Sequence, residues 1–269
     1  CLVGSEMCIR DRYLSAELPV LQITWARYFF TVVFIFPLML FFFKKYLVWT
    51  DKPKLQLIRG LILLTANISF FYSISVISLP KALTLAFVAP LVVTAFSPFF
   101  LGESVGYRRW AAVIIGFIGS LVVIRPGFLE INLASLAALG TGIMYGFYLI
   151  ITRKLSTSDN PLLTLLLTGV VGAIIATTFM PFVWVSPTFN QWSIMAAIGL
   201  FACIGHLFII LSLKFADASK LAPFSYFEII TNIIIAYYFF GDFPDSWTFL
   251  GLFIIAVSYT HLRAHETDT

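Results

Sequence analysis

Along the chain, apolar residues come in runs of about 20, the length at which a helix crosses roughly 30 Å of hydrocarbon. Short clusters of Lys, Arg, Pro, Gly and Asp separate the runs. The pattern predicts helices at 20–43, 60–79, 82–101, 110–125, 134–151, 162–184, 193–213 and 221–240, with an incomplete span from Trp247 to Ser258. Such a pattern describes an all-α integral membrane bundle, with lipid as the solvent for most outward side chains. Composition sharpens this: 60% of residues are hydrophobic and only 11% are charged, against about 25% charged in a soluble domain. A soluble protein of this composition would lack the polar surface to cover itself.

The net charge of +4 changes the picture only through its placement. The cations lie in short loops between spans, not on a basic face interleaved with aromatics, so nucleic acid is not an expected partner. Taking alternate loops, Lys44, Lys45, Lys52, Lys54, Arg59, Arg108, Arg109, Arg153, Lys154, Lys214 and Lys220 fall on one side, and only Lys81 and Arg125 on the other. The first side is therefore expected to be cytoplasmic, and the acidic loop at Asp242 and Asp245 to be outside. Lys81 and Lys220 sit at helix starts as snorkelling anchors. Of the cysteines, Cys1 and Cys8 are terminal and Cys203 stands alone in an apolar run, so neither a disulfide framework nor a metal site is expected.

Both ends break the pattern. Residues 1–12 (CLVGSEMCIRDR) and 259–269 (YTHLRAHETDT) are read as non-native tails and left out of the fold. Between them, Leu101-Gly102-Glu103 and Phe240-Gly241-Asp242 align at an offset of 139, which also pairs Lys81 with Lys220 and Trp110 with Phe249. Two five-helix repeats are expected, 13–127 and 128–258, with the first of ten helices missing and the last truncated. An odd number of helices per repeat inserts the second half upside down, and the opposite charges of the loops after Glu103 and Asp242 agree. Inverted repeats let two similar halves exchange inward-open and outward-open forms around one midplane site.

These residues resemble the EamA type of the drug/metabolite transporter superfamily. The likeness rests on Leu79-Pro80-Lys81-Ala82, Ala89-Pro90, the run Leu101 to Trp110 and Arg125-Pro126-Gly127 in the first half. Gly205-His206, Leu221 to Tyr226, Phe240-Gly241-Asp242 and Trp247 carry it in the second. The resemblance implies a secondary transporter that moves a small organic metabolite across the bacterial inner membrane. Members similar to S-adenosylmethionine-uptake and riboflavin-uptake carriers look nearest, while amino-acid and drug exporters share the fold. Many members carry Glu-Pro in the ninth helix where this chain has Glu228-Ile229.

Candidate site residues follow from polar groups inside apolar spans, which are costly unless they face water or a partner. Glu228 forms a stripe with Ser225, Thr231 and Asn232; a structural carboxylate is the rival reading. His206 aligns with Asn67 across the repeat and titrates near neutrality when unperturbed, a buried, hydrogen-bonded structural histidine being the rival reading. Thr141, Tyr145, Tyr148 and Thr152 share one helical face, suited to stacking and hydrogen-bonding a flat or zwitterionic solute, interhelical packing being the rival reading. Arg27, with Thr24 and Thr31 on its face, offers a cation to a substrate carboxylate or phosphate, snorkelling being its rival. Ser69, Tyr72 and Ser73 form a similar face, and Pro90 and Pro98 are expected to kink one helix.

No H-E-x-x-H, G-x-S-x-G or Gly-rich phosphate loop occurs, so an enzyme is not expected and no cofactor is implied. The expected partners are a small-molecule substrate and the lipid bilayer. Proton or counter-substrate coupling and a homodimer stay open, and a non-transporting receptor or structural membrane protein is the alternative function.

Overall fold

The computed structural model describes residue 14 and residues 17–42, 50–102, 107–124, 132–156, 158–215, 237–238, 241 and 244–263. The expected helix at 221–240 therefore lies outside the described residues apart from Tyr237 and Tyr238, as do residues 1–12. No strand occurs among the described residues, and the elements are α1 Val20–Phe42, α2 Pro53–Val76, α3 Leu79–Ala86, α4 Ala89–Leu101, α5 Tyr107–Ile124, α6 Leu133–Leu155, α7 Pro161–Val183, α8 Phe189–Phe215 and α9 Ser246–Arg263. Six segments among the described residues are long and apolar enough to cross a membrane: α1, α2, Lys81–Leu101, α6, α7 and α8.

Local chemistry explains several boundaries. Asn160 accepts a hydrogen bond from the Leu162 N–H at 2.9 Å, and Pro161 follows it in a position where its missing N–H costs nothing. Asn132 and Asp245 cap α6 and α9 in the same way, through the N–H groups of Ala134 and Thr248. Arg153 and Lys154 lie in the last turn of α6 and Lys214 in that of α8, where cations offset the helix dipole.

Three departures from the sequence expectation go beyond a shift of up to four residues at a helix end. First, α2 begins at Pro53, seven positions earlier than expected, which moves Lys54 and Arg59 from a loop into the helix. Second, the span at 82–101 is interrupted at Phe87–Val88, and Pro90 opens α4 instead of kinking a continuous helix; Pro98 lies inside α4. Third, α9 runs on to Arg263, beyond Ser258.

Two compact units divide the chain. Residues 72–150 and 217–269 form one of them. In it, α9 packs along α5, and a Cβ on Gly251 would lie 2.3 Å from Val123 Cγ2. On α6, Cβ atoms at Gly142 and Gly146 would meet Ala86 O at 2.6 Å and Val92 Cβ at 2.7 Å. Close backbone approach thus builds the core of Val88, Leu91 and Val92 against Leu139 and Phe147.

Residues 2–71 and 151–216 form the other unit. Here α1 lies against both α7 and α8, around a core that includes Ile35, Met39, Leu163, Leu166, Cys203 and Ile210. Glycines again set the crossings. A Cβ on Gly172 would meet the Tyr28 ring at 2.4 Å, one on Gly199 the Phe30 Cβ at 2.3 Å, and one on Gly60 the Val171 Cγ1 at 2.8 Å. Large apolar side chains such as Phe41, Phe182, Phe189 and Phe208 are exposed, as expected of groups meeting acyl chains.

The offset of 139 recurs in the coordinates. Gly60 on α2 and Gly199 on α8 are so related, and each marks a close crossing, with α7 and with α1 respectively. Gly102 and Gly241 are also so related, and both adopt the left-handed backbone, at φ 70° and 67°, which glycine reaches without the Cβ penalty.

Candidate substrate site

In the unit formed by residues 2–71 and 151–216, polar side chains gather on α1, α2 and α8. Arg27 lies on the eighth residue of α1, two turns into an apolar helix, and is 5% exposed. Its Nη2 lies 2.9 Å from His206 Nε2 on α8. A guanidinium has only donors, so this contact makes Nε2 the acceptor and places the imidazole proton on Nδ1. The next α1 residue, Tyr28, accepts a 2.6 Å bond at its hydroxyl from Asn67 Nδ2 on α2. Asn67 and His206, equivalent at the offset of 139, therefore hold consecutive residues of the same helix. Thr24 and Thr31, buried on the Arg27 face, return their hydroxyls to the Val20 and Arg27 carbonyls. Arg27 thus turns into the helix packing and does not reach out along the chain axis.

A second buried cation escaped the sequence reading. Arg59, fully buried, donates from Nε to Thr152 Oγ1 at 2.8 Å and from Nη1 to the Thr164 carbonyl at 3.2 Å and the Thr168 hydroxyl. Both Arg27 and Arg59 act electrostatically on the His206 ring. The missed signal was Pro53: proline favours the first helical turn, and a helix begun there carries Arg59 almost two turns inward. One turn before Arg59, Gln56 donates to Asp159 Oδ2 at 2.6 Å and to Thr164 Oγ1 at 3.1 Å, and Asp159 also accepts from Thr50 Oγ1. Asp159, Arg59 and their partners rivet the start of α2 to the α6–α7 corner.

The expected Thr141-Tyr145-Tyr148-Thr152 stripe has a different fate at each end. Tyr145 and Tyr148, in the unit of residues 72–150 and 217–269, stack with ring centroids 5.4 Å apart and planes 18° apart, Tyr148 fully buried. Thr141 bonds its own helix at the Ala137 carbonyl, whereas Thr152, in the other unit, is engaged by Arg59. Tyr72 is exposed, while the neighbouring Ser73 is buried and bonds the Ala134 carbonyl, so those two face different surroundings. Glu228, Ser225, Thr231 and Asn232 lie outside the described residues.

At the far end of α1, Gln22 pairs its amide with the Val185 backbone, at 2.7 Å to its carbonyl and 3.0 Å from its N–H. Trp25 donates to Thr177 at 2.9 Å and packs against Phe29, Trp184 and Trp192.

Comparison with known proteins adds the following. The sequence model of the EamA-like transporter family matches residues 8–125 and again 132–262. An S-adenosylmethionine uptake transporter of Rickettsia bellii is 26% identical over 92% of this chain and 84% of its own length. A riboflavin transporter of Vibrio cholerae is 28% identical, over 70% of this chain and 63% of its own, and a pseudopaline exporter of Pseudomonas aeruginosa is 24% identical, over 75% and 72%. A solved crystal structure superposes with a TM-score of 0.70 at 16% identity, covering 100% of this chain and 98% of that one, which speaks to the fold alone.

Proposed function

Since the chain belongs to the EamA-like transporter family, and is a multi-pass membrane protein that moves a small organic metabolite, we propose that its substrate is a zwitterion whose carboxylate is bound by Arg27. The observation that carries the reading is the Arg27 guanidinium itself, two turns inside a membrane span and 5% exposed, held by a neutral acceptor at His206. A buried cation in a bundle is expensive to keep unless acceptors or an anion answer it, Arg27 has one neutral acceptor at His206 in view, and an arginine fork matches a carboxylate with two parallel bonds. S-adenosylmethionine, named for a relative that matches most of this chain, bears such an α-amino carboxylate. Glu228, with Ser225 and Asn232 on its face, is assigned to the cationic part of the substrate on the sequence argument. We read the two family matches, 8–125 and 132–262, as inverted repeats working by alternating access.

The test is uptake of radiolabelled S-adenosylmethionine into proteoliposomes, in competition with unlabelled carboxylates and their methyl esters. Competition by the acids and not the esters is expected; equal competition by both sinks the carboxylate reading.

The chain is further placed in a bacterial inner membrane with the 44–52 segment, which precedes α2, on the cytoplasmic side, on the distribution of cations. In spheroplasts of a cysteine-free background, a membrane-impermeant maleimide is expected to label a cysteine at Ser246 and to spare one at Asp51, both exposed positions. The reverse pattern would invert the topology.

A further inference from the structure

We propose that Arg27 and His206 bind a substrate carboxylate and one proton together, which makes the carrier a proton symporter for its zwitterionic substrate. The proposal rests on the reading of Arg27 as the carboxylate site.

The geometry points to it as follows. At 2.9 Å, Arg27 Nη2 and His206 Nε2 share one hydrogen bond, and the arginine can only donate it. A proton arriving at Nε2 would put two donors, each on a positive group, face to face. That contact cannot survive in a buried site, because like charges this close repel strongly where water is excluded. The guanidinium must turn to another acceptor, and a carboxylate entering between the two groups accepts from both while cancelling one of the two charges. Without the carboxylate, the protonated pair is unstable. Without the proton, the carboxylate competes with Nε2 for the guanidinium and gains nothing from the ring. Proton and anion therefore favour each other's binding, and linkage makes the effect reciprocal. The proton comes from bulk water, adds to the Nε2 lone pair and leaves by the same atom on the other side, so no bond is made or broken in the substrate.

Among the described residues, Arg27 on α1 and Arg59 on α2 both act on the ring, Tyr28 is the other titratable group of α1, and Cys203 and Lys214 are those of α8. No residue of α7 between Pro161 and Val183 titrates. Arg59 is tied to Thr152, Thr164 and Thr168, and it stays charged throughout the working range.

The experiment counts protons. Proteoliposomes loaded with pyranine receive radiolabelled S-adenosylmethionine, and proton entry is compared with label uptake for the wild type and for His206→Gln. Glutamine keeps an acceptor for Arg27 and does not titrate. The wild type is expected to take in one proton per molecule and to concentrate label about tenfold per unit of imposed pH gradient, the free-energy equivalent of one proton. His206→Gln, at whatever rate it works, is expected to take in label with no proton and with no accumulation above equilibrium.

Label uptake without protons in the wild type would overturn the coupling while leaving the carboxylate reading intact. One proton per molecule in folded His206→Gln would overturn it equally. If the methyl ester of S-adenosylmethionine is carried as well as the acid, the carboxylate reading falls, and the symport proposal falls with it.

Discussion

Arg27→Gln is expected to weaken binding of a carboxylate-bearing substrate by about 10- to 100-fold. The estimate follows from the worth of a hydrogen bond to a charged group, about 1.5–3 kcal/mol, at about 1.4 kcal/mol per tenfold in affinity. Glutamine retains a donor that reaches toward His206 Nε2, so the α1–α8 tie seen at 2.9 Å is weakened but not left as a buried orphan. The remaining anchors of α1, Gln22 to Val185 and Trp25 to Thr177, are untouched. Folding should therefore persist, and the loss should appear in affinity. Titrating detergent-solubilised protein with S-adenosylmethionine by calorimetry, beside a thermal melt of the same sample, separates the two. A variant that melts early but binds like the wild type would make Arg27 a packing residue. The methyl ester, which lacks the carboxylate charge, should bind wild type and variant alike.

The second large effect concerns the crossing of α8 over α1. Gly199→Ala places a methyl group 2.3 Å from Phe30 Cβ and 3.2 Å from Phe30 Cα, and a backbone neighbour cannot swing aside as the end of a side chain can. Overpacking of this kind costs typically about 1–3 kcal/mol, which corresponds to a fall of about 3–10 °C in melting temperature for a chain of this size. Gly140→Ala is the matched control, because nothing lies within 4 Å of a Cβ there and alanine favours the helix; no loss of stability is expected. Thermal unfolding followed by tryptophan fluorescence in detergent measures both. Equal melting temperatures would mean that α1 and α8 slide apart at little cost. The repeat-related Gly60→Ala, facing Val171 Cγ1 at 2.8 Å, should behave as Gly199→Ala does, though less severely, since it meets a side chain and not a backbone.

Run lengths and composition alone made the membrane, six of the spans and the polar residues within them legible. Lipid imposes a simple rule, about 20 apolar residues per crossing, and runs obeying it are legible without tertiary information. The offset of 139 was legible from Leu101-Gly102-Glu103 and Phe240-Gly241-Asp242, where Gly102 and Gly241 adopt the left-handed backbone that favours glycine; the matching close approaches at Gly60 and Gly199 emerged only in the structure. Partnership was not legible. Nothing in the order of residues says that His206 meets Arg27 across 179 positions, or that Thr152 is spent on Arg59 and not on the face of Tyr145 and Tyr148. Those pairings depend on which helices cross and at what rotation, which the summed packing of many apolar contacts decides. Arg59 shows the boundary between the two kinds of knowledge. Its charge suggested a loop, and Pro53 hinted at the helix that contains it. Only the positions of Thr152, Thr164 and Thr168 around it explain how a membrane span holds a cation there, because a buried charge is stable only where the tertiary structure supplies its acceptors.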